Sequence, residues 1–178
     1  MLYARKITED GWFGTDELDA DSISELKVDN HELSVWKIQD ASNTVDIDKI
    51  ALALAMIHHK VDEFYMVLLD PAGIEARYKW VLAFSPQPGD TRYTQVKDEH
   101  TNFVVESLWE LGFLSEYIHE LLEDKRNYRY YDVITLRQMA YDAAKEGRLT
   151  KNDVKGTQWQ TAIKDLEKEF GVIDHFWD

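Results

Sequence analysis

One segment near the middle of the chain constrains the fold most, because it joins a wholly apolar helix to a dense strand. The run IALALAMI, residues 50–57, is apolar on every side, and helices of that kind are buried rather than half-exposed. Asp46 and Asp48 place negative charge at its amino-terminal end, where the helix dipole favours it. The run EFYMVLLD, residues 63–70, follows directly and is apolar enough for a strand that is covered on both faces.

This segment predicts a crossover unit. The run LSVWKI, residues 33–38, precedes the apolar helix and reads as a strand. A strand, a buried helix over about residues 47–59 and a second strand in this order are typical of a βαβ crossover with a parallel pair. Three further elements are expected in the first half: strands over residues 2–7 and 78–84, and a short helix over residues 22–28 that is capped by Asp21.

Beyond residue 98 the pattern changes to helical. From Asn102 to Asp124 the apolar residues recur at spacings of three and four, which predicts an amphipathic helix. Two more helices are expected over residues 132–146 and 157–170, each ended by a glycine. The predicted fold is therefore α/β or α+β: a small mixed sheet with one buried crossover helix, followed by a C-terminal helical subdomain. A soft boundary separates an α/β core region, 1–97, from a helical region, 98–178, packed on it as one compact unit.

The aromatic residues divide into two groups. Those inside predicted elements are expected in the core: Trp36, Trp80 and Trp109. The others lie in a glycine-rich turn or at the extreme C-terminus, where we expect them to dock on the domain: Trp12, Phe13, Phe176 and Trp177.

Composition limits the compartment and the partners. The chain has 34 acidic and 20 basic residues, for a net charge of −14, which repels phosphate backbones and suits a basic partner. It has no cysteine, so disulfides and thiolate chemistry are excluded. The amino terminus has no apolar signal sequence, and no apolar run approaches the roughly 20 residues that cross a bilayer. These features predict a cytoplasmic protein with no membrane partner.

The acidity is concentrated in blocks, one of which falls on a predicted helix. Residues 98–123 contain seven acidic side chains and no Lys or Arg. With a helix beginning near Asn102, five glutamates share one face within about 140°, opposite the apolar stripe: Glu106, Glu110, Glu116, Glu120 and Glu123. This face predicts a docking surface for a basic protein; the alternative is an ordinary solvated helix surface.

One short stretch, KRNYRYYD at residues 125–132, is basic and aromatic together. Lys125, Arg126 and Arg129 could contact phosphates while the tyrosines stack on bases. The predicted helices that follow, through residue 155, have the spacing of a helix-turn-helix motif. The opposing interpretation has these cations neutralise the end of the preceding acidic helix while the tyrosines pack a helix–helix junction. The net charge of +3 over residues 124–155 is small beside the net charge of −14 of the whole chain, so nucleic-acid binding is disfavoured.

Motifs for chemistry are sparse. His58 and His59 precede Asp62 and Glu63, but the two histidines face different directions and the sequence suggests no third metal ligand. Glu116 and His119 form a single Glu-x-x-His motif, whereas di-iron bundles need two such motifs. No phosphate loop, dinucleotide fingerprint, nucleophile elbow or zinc-protease motif occurs. We therefore expect no metal and no cofactor, and the sequence identifies no catalytic residue.

The function predicted from these features is a non-enzymatic cytoplasmic protein that binds a basic protein, as an immunity protein or antitoxin does. Two alternatives remain open. One is a small enzyme with a non-local active site near the end of the 63–70 strand, at Asp70, where a parallel strand would face a crevice. The other is a nucleic-acid binder through residues 125–155.

The buried helix gives the first testable prediction. Leu54→Asp should abolish the cooperative thermal unfolding transition, because it buries an unpaired charge at a cost of several kcal/mol. The change should be followed by circular dichroism during heating. A variant that keeps the parent transition would show that the helix is not buried.

Overall fold

The computed structural model describes residues 1–13, 18–154 and 157–178, and its strands belong to one sheet. The strands are β1 (Leu2–Ile7), β2 (Glu32–Ile38), β3 (Phe64–Leu69), β4 (Ala83–Pro86), β5 (His100–Val104) and β6 (Tyr128–Tyr131). They lie in the order β4-β5-β2-β1-β3-β6, and each neighbouring pair is antiparallel.

Helices cover both faces of this sheet. They are α1 (Ala20–Glu25), α2 (Thr44–Ala55), α3 (Pro71–Tyr78), α4 (Leu108–Leu122), α5 (Val133–Lys145) and α6 (Thr157–Phe170). The α5 and α6 pair is the C-terminal helical part, so the predicted fold class is confirmed. None of the described helices is long and apolar enough to cross a lipid bilayer.

The predicted crossover is present, but a third strand separates the two strands that it joins. β2, α2 and β3 follow one another in the chain, and α2 carries the chain across the sheet. β1 pairs antiparallel with both β2 and β3, so those two strands run parallel to each other without being neighbours. The expected parallel pair is therefore replaced by two antiparallel ladders, because the amino-terminal strand occupies the position between them.

α2 is buried as predicted, because it lies between the sheet and the C-terminal helices. Leu52 and Leu54 are 1% and 4% exposed, in the same core cluster as Trp36 of β2 and Met66 of β3. α5 packs against α2 from the other side and against α6. The helix ends at Ala55, earlier than the expected residue 59, and the histidines that follow lie in a loop.

A second core fills the opposite face of the sheet. Val35, Val67 and Phe103 contribute from the strands, and Leu114 and Ile118 of α4 close over them. The sheet is thus the middle of three layers, with α2, α5 and α6 on one face and α4 on the other. Both faces of the central strands are apolar, which explains why strand EFYMVLLD reads as covered on both faces.

The predicted helix from Asn102 is wrong at its start. Residues His100–Val104 form β5, which pairs with β2 on one side and β4 on the other. Ser107 caps α4 by accepting a hydrogen bond from the Glu110 amide at 3.2 Å. A serine followed three residues later by a glutamate is the signal that places this helix start.

Smaller differences concern the ends of other elements. Asp19, rather than Asp21, caps α1, and its carboxylate accepts from the Ser22 amide at 2.7 Å. The expected strand over residues 78–84 is wrong over most of its length: Tyr78 ends α3, and β4 begins only at Ala83. The glycines after α5 and α6 have positive φ values, so both helix ends are confirmed.

The terminal and turn aromatics dock on the domain, as predicted. Trp12 is buried and donates from its indole nitrogen to Glu25 at 2.9 Å. Phe13 contacts the ring of Tyr65 at 4.4 Å between centroids. At the other terminus, Phe176 is buried and Trp177 donates to Glu167 at 2.7 Å. The boundary near residue 98 stays a prediction, although β5 and β6 follow it and belong to the same sheet.

Candidate partner-binding surface

The outer face of α4 is the surface on which the sequence places most of its candidate residues. Leu114, Ile118 and Leu122 point from α4 into the core. At 100° per residue, the opposite arc of about 140° holds seven large or charged side chains. They are Leu108, Trp109, Phe113, Glu116, His119, Glu120 and Glu123. We call this arc the outer face of α4.

The first two turns of this face are apolar. Leu108 and Trp109 are 86% and 78% exposed, so the prediction that Trp109 belongs to the core is wrong. The core contacts of α4 begin with Leu111, one turn further along, which leaves the first residues of the helix uncovered. Phe113 extends the apolar surface by stacking on Tyr78 of α3, with centroids 4.7 Å apart and an interplanar angle of 17°.

The last turns of the outer face are acidic. Arg77 of α3 forms a bidentate hydrogen bond with Glu120 and lies 3.8 Å from Glu116. Glu116 also accepts from the Tyr78 hydroxyl at 3.1 Å. Burial, reinforced by Glu116, raises the pKa of Tyr78 to about 12, so the hydroxyl stays protonated and keeps donating. One arginine thus faces two glutamates, and the cluster keeps net negative charge.

The five predicted glutamates do not form one uniform face. Glu106 precedes the helix, and Glu110 points away from the outer face, where its carboxylate accepts from the amides of Glu106 and Ser107 at 2.6 and 3.0 Å. Glu116 and Glu120 share Arg77. Glu123 is exposed and its carboxylate has no hydrogen bond or ion pair within the described residues. Whether these carboxylates bind a partner stays a prediction, and Glu110 and Glu120 also stabilise the fold.

Further acidic groups adjoin the carboxyl-terminal end of α4. The His119 ring nitrogen Nδ1 lies 3.2 Å from the Trp12 carbonyl oxygen, which places this end of the helix beside the turn at residues 10–12. Asp10 and Asp19, on and after that turn, are exposed. The negative charge of the outer face therefore continues onto the neighbouring segment.

The basic segment forms an edge strand rather than a helix junction. Arg126 binds Asp124 through Nε at 2.8 Å, and the Arg129 guanidinium donates to the carbonyl of Tyr128 at 2.8 Å. Lys125 is exposed. Arg126 thus neutralises Asp124 at the end of the preceding acidic stretch, as the opposing interpretation predicts, and Arg129 is engaged with the backbone of the segment.

The tyrosines of this segment belong to the sheet. Tyr128 packs edge-on against Phe13 and Tyr65, with centroids 5.6 and 5.8 Å away. Tyr130 donates to Glu63 at 2.6 Å, a hydrogen bond that raises its pKa to about 12. Tyr131 is buried and stacks on Phe64. Nucleic-acid binding by this segment stays a disfavoured prediction.

The remaining candidate groups for chemistry are separated. His58 and His59 lie in the loop after α2, and among the described residues no three His, Asp or Glu side chains are grouped as metal ligands. His119 faces Trp12 whereas Glu116 faces α3. Asp70 caps α3 by accepting from the Ala72 amide at 3.2 Å, and its strand has no parallel neighbour to form the expected crevice.

Comparison with known proteins gives no functional information: no protein family, curated protein or solved structure matches the chain. The outer face of α4 must therefore be judged on its own geometry.

The contacts of the basic segment give a testable expectation. Replacing Lys125, Arg126 and Arg129 together with Ala should leave affinity for duplex DNA or single-stranded RNA unchanged, because the parent has no strong affinity to lose. Gel-shift titration at physiological salt measures this directly. Sub-micromolar binding by the parent that disappears in the triple variant would contradict it.

Proposed function

We propose that this chain is a cytoplasmic protein-binding protein, and that the outer face of α4 docks on a basic protein partner. The observation that carries the proposal is the exposure of Leu108 and Trp109 on the same helix face as the Glu116–Glu120 cluster and Glu123. Basic nucleases blocked by immunity proteins or antitoxins are one class of partner with the required charge.

The apolar half of the face supplies the anchor. Tryptophan is enriched among the few interface residues that contribute most of the binding free energy, usually where it fills a pocket in the partner. Trp109 is flanked by Leu108 and by the stacked Phe113–Tyr78 pair, so an apolar pocket on the partner would bury a continuous patch. Such contiguous exposed apolar side chains are typical of interaction sites.

The acidic half of the outer face orients a basic partner and raises the rate at which it associates. Glu123 and the adjoining Asp10 and Asp19 add negative charge beside Glu116 and Glu120. A chain with a net charge of −14 attracts a basic protein over distances of about a Debye length, roughly 8–10 Å at physiological salt. Arg77 holds Glu116 and Glu120 in place, which lowers the entropy lost when a partner cation joins them.

The experiment compares two face variants with two matched controls. Trp109→Ala and Glu123→Lys alter the outer face, whereas Ile134→Ala and Glu169→Lys alter similarly exposed positions on α5 and α6, in the opposite layer. Each protein is immobilised, and quantitative mass spectrometry compares what it retains from extract of the native host. We expect a basic protein that the parent and both controls retain equally and that Trp109→Ala retains about tenfold less, since loss of an anchor costs at least about 1.4 kcal/mol. Glu123→Lys should also retain less of it, because the reversed charge repels a basic partner.

The same partner should associate more slowly as salt is raised, and Glu123→Lys should reduce the association rate more than Trp109→Ala does. Equal retention of every bound protein by face and control variants would contradict the proposal. Sedimentation of the purified chain gives a second check: a dimer that Trp109→Ala converts to a monomer would assign the face to a second copy of this chain.

A further inference from the structure

The strand β6 is the last strand at one edge of the sheet, and its tyrosines turn backbone groups outward. The Leu68 amide of β3 donates to the Asn127 carbonyl oxygen at 2.8 Å, just before β6 begins. Hydrogen-bonded pairs alternate along an antiparallel ladder, so Arg129 bonds to β3, whereas Tyr128 and Tyr130 do not. The amide and carbonyl groups of these two tyrosines therefore face away from the sheet.

An outward row of backbone groups is a template on which another strand can pair. Outside the ladder, no described residue hydrogen-bonds to the amide of Tyr128 or to the amide and carbonyl of Tyr130. Tyrosine favours strands, and Tyr130 is 48% exposed. Three of the four outward groups of β6 are thus available to an incoming strand.

The fourth outward group is occupied by the side chain of the residue between the two tyrosines. Nη1 of Arg129 donates to the Tyr128 carbonyl oxygen at 2.8 Å and to the Arg126 carbonyl oxygen at 3.2 Å. The guanidinium therefore lies along the edge of its own strand. Hydrogen bonds from a charged donor are stronger than those between neutral groups, so the amide of an incoming strand competes poorly for this oxygen.

The same side chain opposes pairing between two copies of the chain. Two copies of β6 related by a two-fold axis through Arg129 would place Tyr128 opposite Tyr130 of the second copy. Each Tyr128 carbonyl oxygen would then accept from the Tyr130 amide of the second copy, although Arg129 already bonds to that oxygen. The two Arg129 residues would face each other with Cα atoms about 4.5 Å apart, and like charges directly opposite each other destabilise a ladder.

The opposite edge of the sheet, formed by β4, is blunted by a proline. The Val105 amide donates to the His31 carbonyl oxygen at 2.8 Å, which continues the β2–β5 ladder. By the same alternation, Phe84 and Pro86 of β4 face away from β5. Pro86 has no amide hydrogen to offer a further strand. β6 contains no proline, so its edge depends on a side chain instead.

We infer that Arg129 closes the β6 edge against a second copy of this chain. It does so by occupying the Tyr128 carbonyl oxygen and by placing a cation where the Arg129 of the second copy would lie. Arg126 differs, because its exposed side chain binds Asp124 and contributes only its backbone carbonyl to the edge. The basic and aromatic character of KRNYRYYD thus has a role that requires no nucleic acid.

Sedimentation velocity over a range of concentrations tests the inference by comparing Arg129→Thr with Arg126→Thr. Threonine favours strands and adds no large apolar surface, so association of a variant cannot be assigned to a new apolar patch. Arg129→Thr should form dimers at concentrations at least about tenfold below those at which the parent associates, because two carbonyl groups are released and one like-charge pair is removed. Arg126→Thr removes the same charge and should associate no more than the parent.

Hydrogen exchange followed by NMR locates the contact. In the monomeric parent, which requires no variant, the Tyr128 and Tyr130 amides should exchange faster than the Arg129 amide, which bonds to β3. In the Arg129→Thr dimer both tyrosine amides should become protected. Adding Tyr130→Pro to Arg129→Thr removes an outward amide at no cost to the ladder with β3, and it should restore the sedimentation of the parent.

Thermal unfolding of every variant confirms that it is folded. An Arg129→Thr chain that associates no more than the parent, or no more than Arg126→Thr, would overturn the inference. Slow exchange of the Tyr130 amide in the monomeric parent would also overturn it, as would a dimer of Arg129→Thr in which the Tyr128 and Tyr130 amides stay unprotected.

Discussion

The insertion of β1 between β2 and β3 is the constraint on which the rest of the structure depends. Among the strands that the structure describes, β1 alone pairs with both β2 and β3, with Ala4 opposite Trp36 on one side and opposite Leu68 on the other. Ala4 is fully buried beneath α2, so a small side chain at the centre of the sheet allows the helix to approach. Both faces of the sheet must then be covered, and the chain uses α2, α5 and α6 for one and α4 for the other.

Two surfaces with different chemistry follow from this arrangement. α4 needs only its inner stripe to cover the second face, which leaves an outer face that is apolar at its beginning and acidic at its end. Where the β1–β2 ladder ends, Arg5 donates to the Ser34 carbonyl beside a cleft that is lined from α1, from both strands and from the end of α2.

The sequence predicted those elements whose cues are local. The apolar run of α2 and the dense strand β3 were recognisable because burial on all sides leaves no polar period. The sequence did not predict β5, because the apolar residues of this strand continue the three-and-four spacing of α4. Only the capping pair of Ser107 and Glu110 marks where the helix begins. The exposure of Trp109 depends on where the sheet ends, so it has no local signal in the sequence.

The position of β1 is tested most directly by engineered disulfides, because the chain has no cysteine of its own. Ala4 and Leu68 are opposite in the β1–β3 ladder, and the Leu68 amide donates away from β1 to Asn127, so they form a non-hydrogen-bonded pair with Cα atoms about 4.5 Å apart. Ala4→Cys with Leu68→Cys should oxidise to an intramolecular disulfide, detected by mass and by mobility on a non-reducing gel. Val35→Cys with Val67→Cys should not, since one strand lies between them and about 10 Å exceeds the reach of the bond. The opposite result, a disulfide only in the second pair, would show that β2 and β3 are direct neighbours and would contradict the account.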